Sequence, residues 1–269
     1  MGFNEKLKNR QITAKSLVCV GLDSDTAKLP QGVSVTEFNR AIIKATAEFT
    51  CAYKINLAFY EAMGDAGHEA IRDAIRHIRE DIPVIGDAKR ADIGNTSAAY
   101  AKAIFEQFGF DAITVNPYMG SDSLQPFFDY TDKGVFVLCR TSNKGSADFQ
   151  ELTCIVEGQE MPLYEAVAAK VGEWNTAGNI GIVVGATYPK ELRKLRAVSP
   201  AMTFLIPGIG AQGGDLELTV KYGTDHEGLG AIINSSRQII FASSGKDYAS
   251  AASKAARQLR DDINRHRVI

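Results

Sequence analysis

The sequence predicts an α/β protein built as a single (β/α)8 TIM barrel, with its active site at the C-terminal ends of the strands. Apolar runs of strand length recur eight times along the chain. Segments with apolar residues three and four apart separate these runs, and 269 residues is an ordinary length for such a barrel. Strands that are apolar on both faces are typical of a parallel sheet covered by helices.

The predicted strands span 16–22, 51–57, 82–87, 111–116, 134–139, 179–185, 202–208 and 230–235. Helical spacing is clearest in HEAIRDAIRHIRE, SAAYAKAIFEQF, PLYEAVAAKVGEW and PKELRKLRAV, and a last helix is expected over 247–264. A doubly wound open sheet is the alternative, because periodicity alone cannot show that a sheet closes. No linker rich in Pro, Gly or Ser divides the chain, so residues 1–269 are expected to form one domain. The stretch 141–162 is too long for an ordinary βα loop, and we expect a lid-like or binding insertion there.

The composition argues against nucleic-acid and membrane partners. A formal net charge of -2 gives no electrostatic footprint for nucleic acid or an anionic membrane. No apolar stretch approaches the ~20 residues of a membrane span, and the polar start MGFNEKLKNRQ lacks the apolar core of a signal peptide. The four cysteines are scattered singly, which favours buried thiols in a cytoplasmic protein over disulfides or zinc ligands.

Nearly every predicted strand ends in polar or charged side chains, at the edge where barrel enzymes build their sites. Lys54 and Asn56 share an i, i+2 spacing, as do Asp87 and Lys89, so each pair points to one face of its strand. The other polar strand ends are Asp23 and Asp25, Asp92, Asn116, 140–143, 207–215 and 233–238. Such agreement among strands predicts one shared site.

Each of these residues also has a simpler interpretation. Lys54 lies inside the apolar run CAYKINL, where its ammonium must be paired with an opposite charge or have a function. Lys89, between Asp87 and Asp92, could equally be part of a structural ion pair. Simple helix N-caps are expected at Asp25, Asp215 and one of Asn95 or Thr96.

The loop PGIGAQGGD (207–215) contains G-x-G-x-x-G, which alone would suggest a dinucleotide site. It follows the seventh predicted strand, and no acidic residue closes the next one, so a phosphate site is the better interpretation. Glycines let backbone amides approach an anion, and Arg237 can grip phosphate oxygens through two parallel hydrogen bonds. The histidines lie on predicted helices or at the opposite end of the barrel, which disfavours His-based catalysis and a His-rich metal site: His68, His77, His226 and His266.

The motif DAKRADIGNT (87–96) resembles the D-x-K-x-x-D signature of the orotidine 5'-phosphate decarboxylase family. GLDSD, KINLAFYEAMG, LCRTSNKGS, IPGIGAQGGD and INSSRQIIFA resemble its other site segments in the same order, from residue 17 to about 245. The spacing and the insertion are most similar to its longer bacterial branch. Ser235-Ser236 departs from the glycine that relatives usually carry before the arginine.

The resemblance implies a cofactor-free, metal-free decarboxylation of orotidine 5'-phosphate to UMP and CO₂, the last step of pyrimidine (UMP) biosynthesis. Asp87, Lys89 and Asp92 would form the charged catalytic array, with Lys89 as proton donor. The implied substrate-binding residues are Asp23 and Lys54 at the ribose, Ser142 at the pyrimidine, Gln212, Ser236 and Arg237 at the phosphate, Pro207, and Ile93 and Thr96. With Asp92, the last two would reach into the neighbouring site of a homodimer.

Three rival functions would each use part of this pattern. A related phosphosugar decarboxylase or aldolase would use Mg²⁺ and need a further acidic ligand, and no suitable Glu stands at a strand end. A phosphate-binding protein without catalysis would have no use for Lys89 between two aspartates. A purely structural barrel would not concentrate charge at one face.

Overall fold

The computed structural model describes residues 1–210 and 214–267 and contains a closed parallel barrel. Its strands are β1 (Val18–Gly21), β2 (Ala52–Asn56), β3 (Val84–Arg90), β4 (Ala112–Val115), β5 (Gly134–Arg140), β8 (Ile180–Val184), β9 (Phe204–Pro207) and β10 (Ala231–Ser235). The eight predicted strands are confirmed. β10 pairs with β1, so the sheet closes and the open-sheet alternative is wrong.

The helices cover the outside of the barrel and its N-terminal end. They are α1 (Phe3–Thr13), α2 (Val35–Thr46), α3 (Leu57–Glu61), α4 (Asp65–His77), α5 (Gly94–Lys102), α6 (Ser121–Phe128), α7 (Ala147–Gln150), α8 (Leu163–Trp174), α9 (Pro189–Val198), α10 (Leu216–Gly223), α11 (Arg237–Ile240) and α12 (Tyr248–His266). A π-helical stretch, Ala103–Phe108, continues α5. The helices predicted from apolar spacing are all present. Within the described ranges, no helix is long and apolar enough to span a membrane.

Apolar side chains fill the N-terminal half of the barrel interior. One buried residue from each strand joins Phe3 and Leu7 of α1 in a single cluster: Cys19, Ala52, Ile85, Ala112, Phe136, Val183, Leu205 and Ile232. Side chains two positions further along a strand point to the same face. The next inward layer therefore lies at the C-terminal end, where it supplies Lys54, Asp87, Thr114 and Asn234.

The stretch 141–162 leaves the barrel between β5 and α8. It contains a 3-10 turn (Lys144–Ser146), α7, and an antiparallel hairpin of β6 (Thr153–Val156) and β7 (Gln159–Pro162). The insertion therefore has its own secondary structure.

Candidate active site

A cavity of about 500 Å³ opens at the C-terminal ends of the strands, a volume in the usual range for small-molecule sites. The structure brings eight of the predicted site residues to its wall: Asp23, Lys54, Asp87, Lys89, Ser142, Pro207, Ser236 and Arg237. Gln212 lies outside the described residues. None of the four histidines is among the lining residues.

Asp87 stands between two lysines at the floor of this cavity. Its Oδ2 lies 3.0 Å from Lys54 Nζ and its Oδ1 lies 2.5 Å from Lys89 Nζ. Asp87 Oδ1 also accepts a hydrogen bond from Thr114 Oγ1 at 2.9 Å, and Lys54 Nζ contacts Asp23 Oδ1 at 3.4 Å. The four charged groups thus alternate in sign, from Asp23 through Lys54 and Asp87 to Lys89.

Burial and charge act in opposite directions on this array. Burial alone would raise the pKa of the Asp87 carboxyl, but the charges and hydrogen bonds of Lys54 and Lys89 outweigh it and hold that pKa well below its ordinary value. Burial alone would lower the pKa of Lys54, whose side chain is 5% exposed. Asp87 and Asp23 outweigh that effect too, and the pKa of Lys54 is raised. The buried lysine is therefore a charged, paired group.

We expect Asp87→Asn to change how stability depends on pH. Because the folded-state pKa of Asp87 is depressed, the stability it contributes is fully present above the unfolded value of about 3.9 and is lost as pH falls through the folded-state value. Breaking the buried pair should lower the free energy of unfolding by roughly 3 kcal/mol at about pH 7. The difference in free energy of unfolding between the wild type and Asp87→Asn should shrink toward about pH 3, where the wild type begins to lose this contribution. Urea unfolding across this range measures it.

Asp132→Asn is the matched control, because the Asp132 side chain is exposed on the surface. If Asp87→Asn were less stable than the wild type by the same free energy of unfolding at neutral and acidic pH, the assignment of a paired carboxylate would be contradicted.

The backbone at Lys89 is in a conformation that few non-glycine residues adopt. Its φ is +51°, and the pairing of β3 with β4 shifts register between Gly86 and Arg90. The Lys89 amide donates to Thr114 Oγ1 at 3.1 Å, which helps hold this conformation. Strained residues of this kind cluster at functional sites, where the surrounding structure holds them. The strain carries the Lys89 ammonium into the cavity, with 47% of its side chain exposed.

The opposite side of the cavity is built from the loops after β9 and β10. Gly208 and Gly210 have φ values of +107° and +85°, a region that favours glycine. Gly21 on β1 also has a steric role, because a Cβ there would come within 1.9 Å of Ser236 Oγ. Arg237 follows Ser236 and lines the cavity. This end offers a guanidinium, a hydroxyl and a glycine-rich backbone.

Three predicted site residues do not line this cavity: Asp92, Ile93 and Thr96. Asp92 Oδ1 accepts from the Ile93 amide at 2.8 Å, while Ile93 is 61% exposed. They lie between the end of β3 and the first turn of α5. The prediction that Asn95 or Thr96 caps this helix is wrong, because Ile93 occupies the N-cap position and makes no side-chain cap. The caps at Asp25 and Asp215 are confirmed.

Sequence reasoning missed Thr114 and Gln150, which line the cavity, and it included Asn234, a third lining residue, only within the polar strand end 233–238. It singled out Asn116 on strand four, whose side chain instead accepts from the Tyr118 amide at 3.1 Å. Thr114 could have been found, since it is a polar residue inside the apolar run DAITVN. Gln150 gave no comparable signal, because its place depends on how the insertion folds.

Residues 16–253 match the family described as Orotidine 5'-phosphate decarboxylase / HUMPS family. The chain belongs to this family. Orotidine 5'-phosphate decarboxylase of Dehalococcoides mccartyi is 55% identical over 267 residues, which cover 99% of both chains. That of Ralstonia nicotianae is 47% identical over 276 residues, which cover 99% of this chain and all of the relative.

Solved structures of this family have the same barrel. The Leishmania donovani OMP decarboxylase is 42% identical, with a TM-score of 0.83, and the match covers 98% of this chain and 99% of that one. The Leishmania donovani UMP synthase is 44% identical with a TM-score of 0.88, and the match covers 99% of this chain and 56% of that one. The resemblance in the sequence motifs is therefore confirmed at the level of family and fold.

Proposed function

We propose that this protein is an orotidine 5'-phosphate decarboxylase, a carboxy-lyase that converts orotidine 5'-phosphate to UMP and CO₂ in pyrimidine biosynthesis. The observation that carries the proposal is Asp87 held between Lys54 and Lys89 at the floor of the cavity. The relatives described above support it. The chain matches the Dehalococcoides and Ralstonia proteins over nearly their full lengths, and both of those proteins bear this name.

The chemistry explains why such an array is needed. When the bond between C6 of the pyrimidine and its carboxylate breaks, CO₂ leaves and the electron pair stays on C6. That carbanion has no conventional electron sink, so a fixed positive charge must stabilise it. Lys89 would supply this charge and then donate a proton to C6, which forms the C6–H bond of UMP. Asp87 would keep the ammonium in position between substrate and floor.

We propose that the reaction needs no metal or organic cofactor. The cavity carboxylates Asp23 and Asp87 already contact Lys54, and a divalent cation among them would face two ammonium groups. In the described part of the chain, no group of three or more His, Cys, Asp or Glu residues could hold a metal ion. The electrostatics therefore favour an anionic organic substrate.

The two ends of the cavity would divide the substrate between them. Arg237, Ser236 and Gln212 would hold the phosphate, and Pro207 would line the same side. Asp23 and Lys54 would bind the ribose, and Ser142 would contact the pyrimidine. Binding energy gained at the remote phosphate can be used to orient the reacting carboxylate over the array.

We expect Gly185→Ala to weaken substrate binding through Ser142. A Cβ at Gly185 would lie 2.9 Å from Ser142 Cβ and 3.1 Å from its backbone nitrogen, so the loop would have to move. The KM for orotidine 5'-phosphate should rise roughly 10- to 100-fold, a range typical of displaced binding groups. Steady-state kinetics measure it.

Gly172→Ala in α8 makes the same chemical change where a Cβ would meet nothing within 4 Å. That control should keep its KM and gain about 0.5–1 kcal/mol of stability, because alanine suits a helix better than glycine. An unchanged KM for Gly185→Ala would remove Ser142 from the substrate-binding wall.

We propose that the protein acts as a homodimer in which Asp92, Ile93 and Thr96 complete the neighbouring site. Around them the surface exposes apolar side chains that a partner could cover: Ile93 at 61%, Tyr100 at 37%, Tyr118 at 85% and Met119 at 45%. α5 packs against α6, and the turn carrying Tyr118 and Met119 packs against α6 as well. The exposed apolar residues therefore belong to neighbouring elements.

The insertion 141–162 is proposed to help close the cavity over the substrate, which would exclude water during the reaction. Deleting the tip of the hairpin, at Glu157 and Gly158, should raise the KM and lower turnover. If both constants stayed at their wild-type values, the insertion would have no part in closure.

A cytoplasmic location is also proposed. Cys19, Cys51 and Cys139 are buried free thiols and Cys154 is half-buried, a pattern that suits a reducing compartment.

The proposed activity is tested by the ultraviolet absorbance of orotidine 5'-phosphate mixed with purified protein and excess chelator. Rapid loss of the orotate absorbance is expected. If the absorbance persists and a phosphosugar is converted only after Mg²⁺ is added, the protein belongs to the phosphosugar branch of its family and the proposed function is wrong.

A further inference from the structure

Arg140 is the largest fully buried side chain of the described residues, yet it does not line the cavity. It ends β5 and directs its guanidinium outward, toward the insertion. The guanidinium carbon lies 3.7 Å from the centre of the Tyr188 ring and 5.9 Å from that of Tyr164. Burying a charge is unfavourable unless it is paired and hydrogen-bonded, so the guanidinium of Arg140 requires partners.

The hydrogen-bond partners of the Arg140 guanidinium all belong to one short segment of the insertion. Nη1 donates to Ser146 Oγ at 2.5 Å and to Gln150 Oε1 at 3.4 Å. Nη2 donates to the Glu151 carboxylate. Since Arg140 is part of β5, these bonds tie the segment from Ser146 to Glu151 to the barrel wall.

Gln150 connects the buried guanidinium of Arg140 to the cavity. Its Oε1 accepts from the Thr141 amide at 2.9 Å, and its Nε2 donates to Thr141 Oγ1 at 2.8 Å. Thr141 Oγ1 in turn donates to Asn143 Oδ1 at 2.7 Å. Thr141, Ser142, Asn143 and Gln150 all line the cavity. The amide of Gln150 therefore holds Thr141 at two atoms, and the Thr141 hydroxyl holds Asn143 on the other side of Ser142.

We infer that Arg140 and Gln150 are positioning residues that set the cavity wall Thr141–Asn143 before the substrate binds. Through this wall they orient Ser142 toward the pyrimidine, so the inference rests on the proposed function. The insertion then has two parts with different roles. Residues 141–151 belong to the fixed wall, and the hairpin of β6 and β7 is the part left to move.

A double-mutant cycle between Gln150 and Ser142 tests this inference. Gln150→Ala should raise the KM for orotidine 5'-phosphate roughly tenfold with a smaller change in kcat, because the binding wall is displaced and the array around Lys89 is untouched. If Gln150 acts through Ser142, the double variant should be no more impaired than the worse single variant. If the KM increase of the double variant equalled the product of the two single-variant increases, the two residues would act independently and the inference would be overturned.

Gln258→Ala on α12 is the matched control, since it also removes a glutamine that bonds a neighbouring side chain, Asp262, but on the exposed surface. Its kinetics should equal those of the wild type. Arg140→Lys keeps the charge and loses the forked donors, so it should reproduce the KM increase of Gln150→Ala. If that variant fails to fold, the cycle at Gln150 still decides the question.

The outcomes separate the inference from the proposed function. A wild-type protein that does not decarboxylate orotidine 5'-phosphate would refute the function. A wild type that does, combined with a Gln150→Ala variant indistinguishable from Gln258→Ala, would refute only the positioning role.

Discussion

Lys89→Ala is expected to lose decarboxylation by a factor of at least about 10⁴ in kcat. Proton donation by a positioned side chain contributes roughly 10²–10⁴-fold, and electrostatic stabilisation of developing charge contributes a comparable factor. Both contributions are assigned here to a single ammonium, 2.5 Å from Asp87. The KM should change much less, because the residues proposed to bind the phosphate and the ribose lie on or after other strands.

The measurement is the rate of loss of orotate absorbance in single- and multiple-turnover experiments. Lys44→Ala, which removes an exposed lysine from α2, is the control and should keep full activity. If Lys89→Ala retained a tenth of the wild-type rate, Lys89 would be a structural partner of Asp87, and the proton donor would have to be sought elsewhere.

Mixing two inactive variants is expected to restore activity if sites are shared between subunits. Asp92→Asn should reduce turnover by roughly 10²–10³-fold, the usual effect of removing one preorganised electrostatic group. In a mixed dimer of Lys89→Ala and Asp92→Asn, one site carries both changes and the other carries neither. Random pairing in a two-fold dimer should then recover about a quarter of the wild-type activity.

A second mixture controls for this result. Lys89 and Asp87 lie in the same cavity of one chain, so mixing Lys89→Ala with Asp87→Asn should recover no activity. Coexpression with two different affinity tags isolates the mixed dimers, in which the first mixture should show about half of the wild-type activity because one site of two is intact. If the first mixture stays as inactive as its parents, Asp92 does not act across an interface. The exposed apolar surface around Ile93 and Tyr118 would then need another explanation.

The strands were predictable because burial on both faces leaves continuous apolar runs in the sequence. The cavity floor was predictable for a related reason. A lysine inside an apolar strand, such as Lys54, must find a partner, and the i, i+2 spacing of Asp87 and Lys89 already indicated one common face. Local patterns of this kind are set by the residues themselves. The family resemblance then followed from several motifs in a fixed order.

Three features depended on contacts that spacing does not encode. Closure of the barrel depends on the pairing of β10 with β1, between residues more than two hundred positions apart along the chain. Whether Thr114 or Asn116 lines the cavity depends on where β4 ends. The left-handed backbone at Lys89 accompanies a register shift against the neighbouring strand.

The sequence by itself determined the eight βα units, the charged end of the barrel and the common face of Asp87 and Lys89. Only the tertiary structure decided that Gln150 joins Arg140 to the wall beside Ser142, and that Asp92 is not among the residues that line the cavity of its own chain. The physical reason is that an apolar run must be buried in any packing, so its pattern is visible locally. A hydrogen-bond network between a strand and an insertion exists only once both are folded against each other.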